Sequence, residues 1–405
     1  MMTQSKRITD MEYSPIRKLS GFVDIAQKNG VNVLHLNIGQ PDLETPVEFL
    51  DKIKSFDFST ISYTDSRGYD DTLNAFISYY KNINLDFEKE DIIITNGGSE
   101  ALLFSFIGCC DVDDEILVPS PYYSNYNNFA DMANIKLVQI ERSVENGFAI
   151  PSEDVFESKI TDKTKAILIC NPCNPTGVIY THSELKMILD LAVKHNLYVI
   201  CDEVYRDFIY DDNEPFSILN LGYAEERIIM VDSLSKRYSA CGCRIGVLAS
   251  KNRLLMDNVL KLCQSRLCVP LLEQVLSTAI IDVPNEYISN VKSIYEQRRN
   301  VLIDGLRSID GVTCSKPGGA FYVIAKLPVN DSEHFAKWLV SKFSLNGETV
   351  MLAPASKFYG IEGKGVNEVR LSYCISEDKL RRAIEILKAG LFKYNELYSV
   401  LSDVN

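Results

Sequence analysis

No stretch of this chain is apolar for long enough to cross a bilayer, and residues Met1 to Asp10 lack the apolar core of a secretion signal. The cytoplasm is therefore the expected location. Positive charge is also scarce: 42 Lys and Arg stand against 55 Asp and Glu, for a formal charge of −13, and no long basic cluster reverses that sign locally. A phosphate backbone or an anionic lipid surface would be repelled, so neither a nucleic-acid nor a membrane partner is expected. Internal repeats, low-complexity tracts and linkers rich in Gly, Pro or Ser are missing as well, which leaves tightly packed or interwoven domains. The 11 cysteines are odd in number and fall mostly in apolar or strand-like segments, which suits reduced thiols better than a disulfide framework. Cys170 and Cys173 have redox-motif spacing, but they bracket Asn-Pro and no second pair completes a metal site, so no metal is expected.

The chain has 46% hydrophobic and 24% charged residues, close to an average globular protein, and its 405 residues exceed what a single core usually serves. One large and one smaller domain follow. From about 91 to 250, short β-branched runs at 92–95, 115–118, 136–140, 165–170, 197–201 and 228–231 alternate with helix-like stretches, the pattern of a mostly parallel sheet covered on both faces. Beyond 251 the pattern changes to a helix over 285–309 stopped by Gly311, a strand over 320–326, a helix over 332–344, strands near Val350 and over 368–373, and a last helix from Glu377. That is a smaller α+β unit. The segment before about Thr45 is too short to fold alone and is expected to pack on it, so the large domain is set at 46–285 and the small one at 1–45 with 286–405.

In a parallel sheet, ligands collect beyond the carboxyl ends of the strands, and the unusual residues of this chain sit there. Thr95-Asn96-Gly97-Gly98-Ser99-Glu100-Ala101 follows a strand and opens an apolar helix, so its amides could meet an anion; by itself it is equally a plain turn. Asn171-Pro172-Cys173-Asn174-Pro175-Thr176-Gly177 puts Asn174 either on a rigid functional loop or in an ordinary Pro-rich turn. Asp202 stands directly after an apolar strand, as a helix cap or as the partner of a buried cation. Lys236, in Asp232-Ser233-Leu234-Ser235-Lys236-Arg237-Tyr238, reads alone as a surface charge. Beside Ser233, Ser235 and Arg244, which could hold a dianionic phosphate, it reads instead as an amine of lowered proton affinity fit for covalent chemistry.

Together these segments resemble the fold-type I aminotransferases, the aspartate aminotransferase superfamily of class I and II enzymes. The likeness runs from Leu36-Asn37-Ile38-Gly39-Gln40-Pro41-Asp42 to Arg370-Leu371-Ser372-Tyr373, with separated motifs in the family's order. It implies an α/β fold with a mostly parallel, seven-stranded-type sheet flanked by helices plus a smaller α+β domain, and pyridoxal 5′-phosphate as cofactor. By the same resemblance Lys236 holds the cofactor covalently and later moves a proton, Asp202 pairs with the pyridine nitrogen, and Tyr205 and Asn174 reach the phenolic oxygen. Tyr123 stacks on the ring; the amides of Gly98, Ser99 and Glu100 with Ser233, Ser235 and Arg244 bind the phosphate. Tyr63 reaches that phosphate from a second subunit, which implies a homodimer with shared sites. Arg370 grips the substrate's α-carboxylate, with Gly39 adding an amide. Ile16 and Arg17 fall in the amino-terminal region that closes over substrate in such enzymes.

Two positions depart from the family's habit: Arg237 where a small or polar residue is usual, and Cys243 in place of a common tryptophan. The expected reaction is transamination between an L-amino acid, aspartate first, and a 2-oxo acid such as 2-oxoglutarate. Arg266 is the candidate for a distal carboxylate. Aromatic donors, or a lyase on the same fold, are the alternatives. A transcription regulator borrowing the fold would need an added basic domain, for which there is no room before Asn37.

Overall fold

A run such as Ala166-Ile167-Leu168-Ile169 has no polar face, so a strand made of it must be covered on both sides. The computed structural model, which describes residues 2–13 and 19–398, does this with two layers of helices. Its strands are β1 Asn32–His35, β2 Ile92–Asn96, β3 Glu115–Ser120, β4 Lys136–Glu141, β5 Thr164–Cys170, β6 Tyr198–Asp202 and β7 Ile228–Ser233. They continue as β8 Ile245–Ala249, β9 Thr313–Cys314, β10 Tyr322–Lys326, β11 Glu348–Met351, β12 Ala353–Pro354 and β13 Glu368–Ser372.

The central sheet has seven strands in the order β2-β8-β7-β6-β5-β3-β4. All neighbouring pairs are parallel except those of β8, which runs antiparallel to both β2 and β7. Alternation along the strands divides the burial. Ala166 and Leu168 pack with Leu102 and Phe106 of the helix Gly97–Cys109 and Met256 of the helix Arg253–Arg266. Ile167 and Ile169 point the other way, toward Leu73 and Phe76 of the helix Asp70–Lys81 and Leu185 and Ile188 of the helix His182–Lys194. Each such Ile or Leu contributes roughly 2 kcal/mol when taken out of water. The helix His182–Lys194 is started by a capping box, in which Thr181 and Glu184 satisfy each other's backbone amides.

A second core lies between the helices Asn285–Arg307 and Glu377–Tyr398 and the antiparallel sheet β12-β13-β10-β9. Leu19, Val23, Leu34 and Leu36 belong to it, and β1 pairs in parallel with β11. The strand expected over 320–326 starts only at Tyr322, because Ala320 takes a left-handed φ of 55° that breaks the extended backbone. Four short strands were not legible, the four-residue β1 among them. Residues 245–249 follow the turn signals Gly242-Cys243-Arg244 and are too few to show a period, and β9 and β12 have two residues each.

The antiparallel strand β8 brings Gly246 against the start of the helix Gly97–Cys109. A Cβ at Gly246 would lie 2.4 Å from the Gly97 carbonyl carbon and 2.6 Å from the Gly98 nitrogen, both main-chain atoms with no freedom to rotate away. Gly246→Ala is expected to lower stability in urea unfolding by about 2 kcal/mol, the usual cost of overpacking. Gly242→Ala, whose Cβ would meet nothing within 4 Å, is expected to stay within about 0.5 kcal/mol of the parent protein.

Candidate active site

The carboxyl ends of β2, β5, β6 and β7 deliver the Gly-Gly turn, the Asn174 loop, Asp202 and the Ser233-to-Lys236 segment to one cavity of about 860 Å³. Its far wall comes from Gly39, Tyr322 and Arg370, on the segment after β1 and on β10 and β13 of the second core. The cavity thus lies where the two cores meet.

Its anion-binding end is built largely from main chain. Gly97 and Arg244 have positive φ values of 73° and 52°, and the close approach of Gly246 sets the helix start against β8. A Cβ on Gly97 would lie 2.4 Å from an Arg244 guanidinium nitrogen, so the glycine makes room for that cation. Arg244 Nη1 donates to the Cys241 carbonyl at 3.2 Å. The Ser233 hydroxyl lies 2.9 Å from that of Ser235 and 3.0 Å from the Ile245 carbonyl. A helix N-terminus, two hydroxyls and a guanidinium facing one space are the donor set of a phosphate, and the cradle fits one. The Glu100 side chain turns away: it accepts from the Asn96 amide at 2.8 Å and lies 3.5 Å from Arg266 Nε, so only its backbone amide is left for an anion.

Asp202 is 4% exposed and, among the described residues, has no cation bonded to it. The Tyr126 hydroxyl donates to Oδ2 at 2.7 Å and the Val204 amide to Oδ1 at 3.3 Å. Burial pushes its pKa up to about 6 against those two stabilising bonds, and the negative Asp232 and Glu203 push the same way. An acid so placed gains from a cationic partner.

Lys236 Nζ donates to the Gly39 carbonyl at 2.9 Å and stands 5.9 Å from the Phe321 ring centre. The hydroxyls of Tyr205 and Tyr322 are hydrogen-bonded at 3.0 Å. A Cβ on Gly39 would fall 1.7 Å from the Tyr322 hydroxyl, so the backbone can pass this close only as glycine. Tyr123 lines the same cavity, edge-on to Tyr126, with ring centres 5.5 Å apart, and its hydroxyl accepts from Asn125 Nδ2 at 2.9 Å.

Arg370 is 1% exposed, its guanidinium flanked by the rings of Tyr322 at 4.5 Å and Phe358 at 4.9 Å. Nη1 donates to Asn174 Oδ1 at 3.1 Å and Nη2 to the Asn37 carbonyl at 2.7 Å, while Nε is buried without a partner. Among the described residues no carboxylate is bonded to this guanidinium, and it lines the cavity with one nitrogen unsatisfied, so it is free to take an anion there. Because the Asn174 oxygen is taken by Arg370, its amide NH2 is left to donate.

Most of the residues expected from sequence meet here; some do not. Tyr63 is 79% exposed and lines no part of the cavity. Arg266 lines no part of the cavity: its Nη2 donates to the carbonyls of Ser66 at 3.1 Å and Ile94 at 3.0 Å, and Nε lies 3.5 Å from Glu100. Cys243 is half-buried beside the apolar core under the sheet. Ile16 and Arg17 lie outside the described residues. Tyr126, Tyr322, His35 and Asn37 were missed. None left a local signal: Tyr126 lies on the helix Asn125–Ala133, one turn beyond the loop that carries Tyr123. The cations lining the cavity, among the described residues, are Lys236, Arg244 and Arg370.

A family model described as aminotransferase class I and II matches residues 31–387. The aspartate aminotransferase of Pyrococcus abyssi is 32% identical over 396 residues, covering 96% of this chain and 98% of its own. That of Bacillus subtilis is 30% identical over 404 residues, covering 97% and 100%. Among solved structures, a mutant aspartate aminotransferase of Thermus thermophilus superposes with a TM-score of 0.88 at 27% identity, covering 96% of this chain and all of that one. An alanine aminotransferase of Pyrococcus furiosus does so with a TM-score of 0.88 at 28% identity.

The raised proton affinity of Asp202 has a measurable consequence. In the cofactor-free protein the buried carboxyl is protonated below about pH 6, whereas in the unfolded chain it ionises near its ordinary 3.8, so its ionisation destabilises the fold progressively as pH rises between those values. Between about pH 5 and about pH 7 the parent protein should lose roughly 1 kcal/mol of unfolding free energy relative to Asp202→Asn. Urea titrations of both proteins at each pH measure the difference, and parallel pH profiles would refute it.

Proposed function

Since this chain belongs to the class I and II aminotransferases, we propose that the residues gathered in its cavity carry out pyridoxal-phosphate-dependent transamination between an L-amino acid and a 2-oxo acid such as 2-oxoglutarate. One observation carries the assignment of parts. A lysine amine, a buried acid short of a counter-ion and a buried arginine with an unsatisfied nitrogen share a single cavity.

Bound pyridoxal 5′-phosphate supplies an aldehyde that takes up the amino group and a ring that draws electrons from the α-carbon. The amides of Gly98, Ser99 and Glu100, the hydroxyls of Ser233 and Ser235 and the Arg244 guanidinium would hold its phosphate. Asp202, made more basic by burial, would hold the proton of the ring nitrogen. Tyr205, through its hydroxyl, and Asn174, through the NH2 that Arg370 leaves free, would donate to the phenolic oxygen. Tyr123 would pack on the ring face. Lys236 Nζ would hold the cofactor at rest and, once freed, its amine would move the proton at the substrate's α-carbon. Arg370 and the Gly39 amide would grip the α-carboxylate and so fix which bond faces the ring.

A homodimer with shared sites is part of this reading. Tyr63 is exposed along with Val47, Leu50, Ile53, Ile61, Leu272 and Ile281, an apolar surface of the kind that a second subunit covers. The distribution of the two cores supports a division near 45 and 285. A cytoplasmic site suits the 11 free cysteines; no helix among the described residues is long and apolar enough to cross a membrane.

Aspartate is the first donor to test, because relatives that cover nearly the whole chain bear its name. Neutral side chains, aromatic ones included, have one observation in their favour. The rest of the lining offers His35, Met351, Asn125 and Asn128 but, among the described residues, no cation beyond the three already engaged. Incubation with 2-oxoglutarate and a panel of L-amino acids decides. Glutamate is expected to form, fastest with aspartate; none from any donor overturns the assignment. Lys236→Ala should still bind the cofactor but show no borohydride-trapped absorbance, and kcat should fall by about three orders of magnitude or more.

A further inference from the structure

Arg237 is the residue at which this chain departs from its family beside the reactive lysine, and the structure buries it. The side chain is 1% exposed between the rings of Tyr79 at 4.8 Å and Tyr238 at 5.8 Å. Its Nε donates to Asp207, and Nη2 lies 3.2 Å from both oxygens of Asp232. Asp232, wholly buried, also accepts from Arg206 at 3.0 Å, Tyr80 at 3.0 Å and the Ser233 amide at 2.7 Å, and Arg206 pairs with Glu203 at 3.0 Å. The result is a chain of alternating charge, Asp207, Arg237, Asp232, Arg206, Glu203, in which three acids face two cations.

Two features argue against a purely stabilising role. Buried ion pairs are seldom worth more than an apolar replacement, because the desolvation of the charges offsets their attraction. Moreover, Arg237 Nη1 is buried with no partner, an added cost that no packing contact requires. What the network does achieve is geometric. It ties the end of β7 at Asp232 and the short helix Leu234–Arg237 to the turn that follows Asp202, so both backbone flanks of Lys236 are held relative to the acid across the cavity.

We propose that Arg237 is a positioning residue for Lys236: its bonds to Asp232 and Asp207 hold the lysine's helical turn against the turn after Asp202 and set the local charge in which both groups work. This rests on the assignment of Lys236 as the cofactor lysine and adds a residue to it. Removing the guanidinium leaves Asp232 with Arg206 alone, and the added negative charge makes nearby groups harder to deprotonate. The titratable and charged groups that line the cavity with Lys236, among the described residues, are Asp24, His35, Tyr123, Cys170, Asp202, Tyr205, Cys241, Arg244, Tyr322 and Arg370, with Cys374 behind it; none is altered by the substitution.

The test is the pH dependence of the absorbance of the bound cofactor, read with kcat and KM. In Arg237→Met the midpoint of that titration should move to higher pH by about one unit, and kcat should fall about ten-fold with KM within about two-fold. Arg237→Lys should restore part of the shift. Asp207→Asn, which removes a negative charge from the other arm, should move the midpoint to lower pH, and it supplies the test if the methionine variant does not fold. A folded Arg237→Met with parent-like midpoint and kcat overturns the proposal, as does an unchanged midpoint in Asp207→Asn. Failure of borohydride to fix the cofactor on Lys236 of the parent protein would strike the underlying assignment instead.

Discussion

Charge buried under the strand ends is the constraint on which this site depends. A parallel sheet with helices on both faces leaves its carboxyl ends as the place where polar groups can collect, and here those ends hold several carboxylates and guanidinium groups almost wholly out of water. Most are neutralised in place: Asp232 by Arg206 and Arg237, and Glu203 by Arg206. Asp202 and Arg370 stand apart. Each is held by neutral hydrogen-bond partners and, among the described residues, has no opposite charge bonded to it, on opposite sides of one cavity. In the function proposed, a cationic ring nitrogen and a substrate carboxylate would supply the two charges, and binding would then relieve an electrostatic penalty built into the fold.

The two ends of the cavity are made by different means. The phosphate end depends on backbone: the turn at Gly97, the left-handed Arg244 and the contact of Gly246 with the helix start fix amides and hydroxyls before any ligand arrives. At the substrate end side chains dominate, with Tyr322 at the centre, bonded to Tyr205, stacked under Arg370 and pressed against Gly39. Tyr322 thereby couples the residue proposed to touch the cofactor's oxygen to the residue proposed to hold the substrate.

Sequence revealed the first end far better than the second. Gly98, Asn174, Asp202, Ser233 and Lys236 each follow an apolar strand directly, so strand order alone gathers them once the sheet is recognised as parallel. Tyr322 and Asn37 carry no such mark; they enter by the meeting of segments far apart in the chain, which no local period encodes. Arg266 shows the same limit from the other side. Its place near the end of the sheet unit suggested a free cation, but a charge is free only if no neighbour claims it, and Glu100 and two carbonyls do. β8 escaped because a five-residue strand preceded by glycine and cysteine has neither the length nor the alternation to be told from a turn.

The bond from Arg370 to the carbonyl of Asn37 joins positions 333 residues apart. The sheet that bears Lys236 and Asp202 precedes β13 in the chain, so the strand-end wall of the cavity is complete in sequence before Arg370 is reached. The cavity therefore closes only when the last strand docks beside the segment after β1, so its two walls depend on one long-range contact.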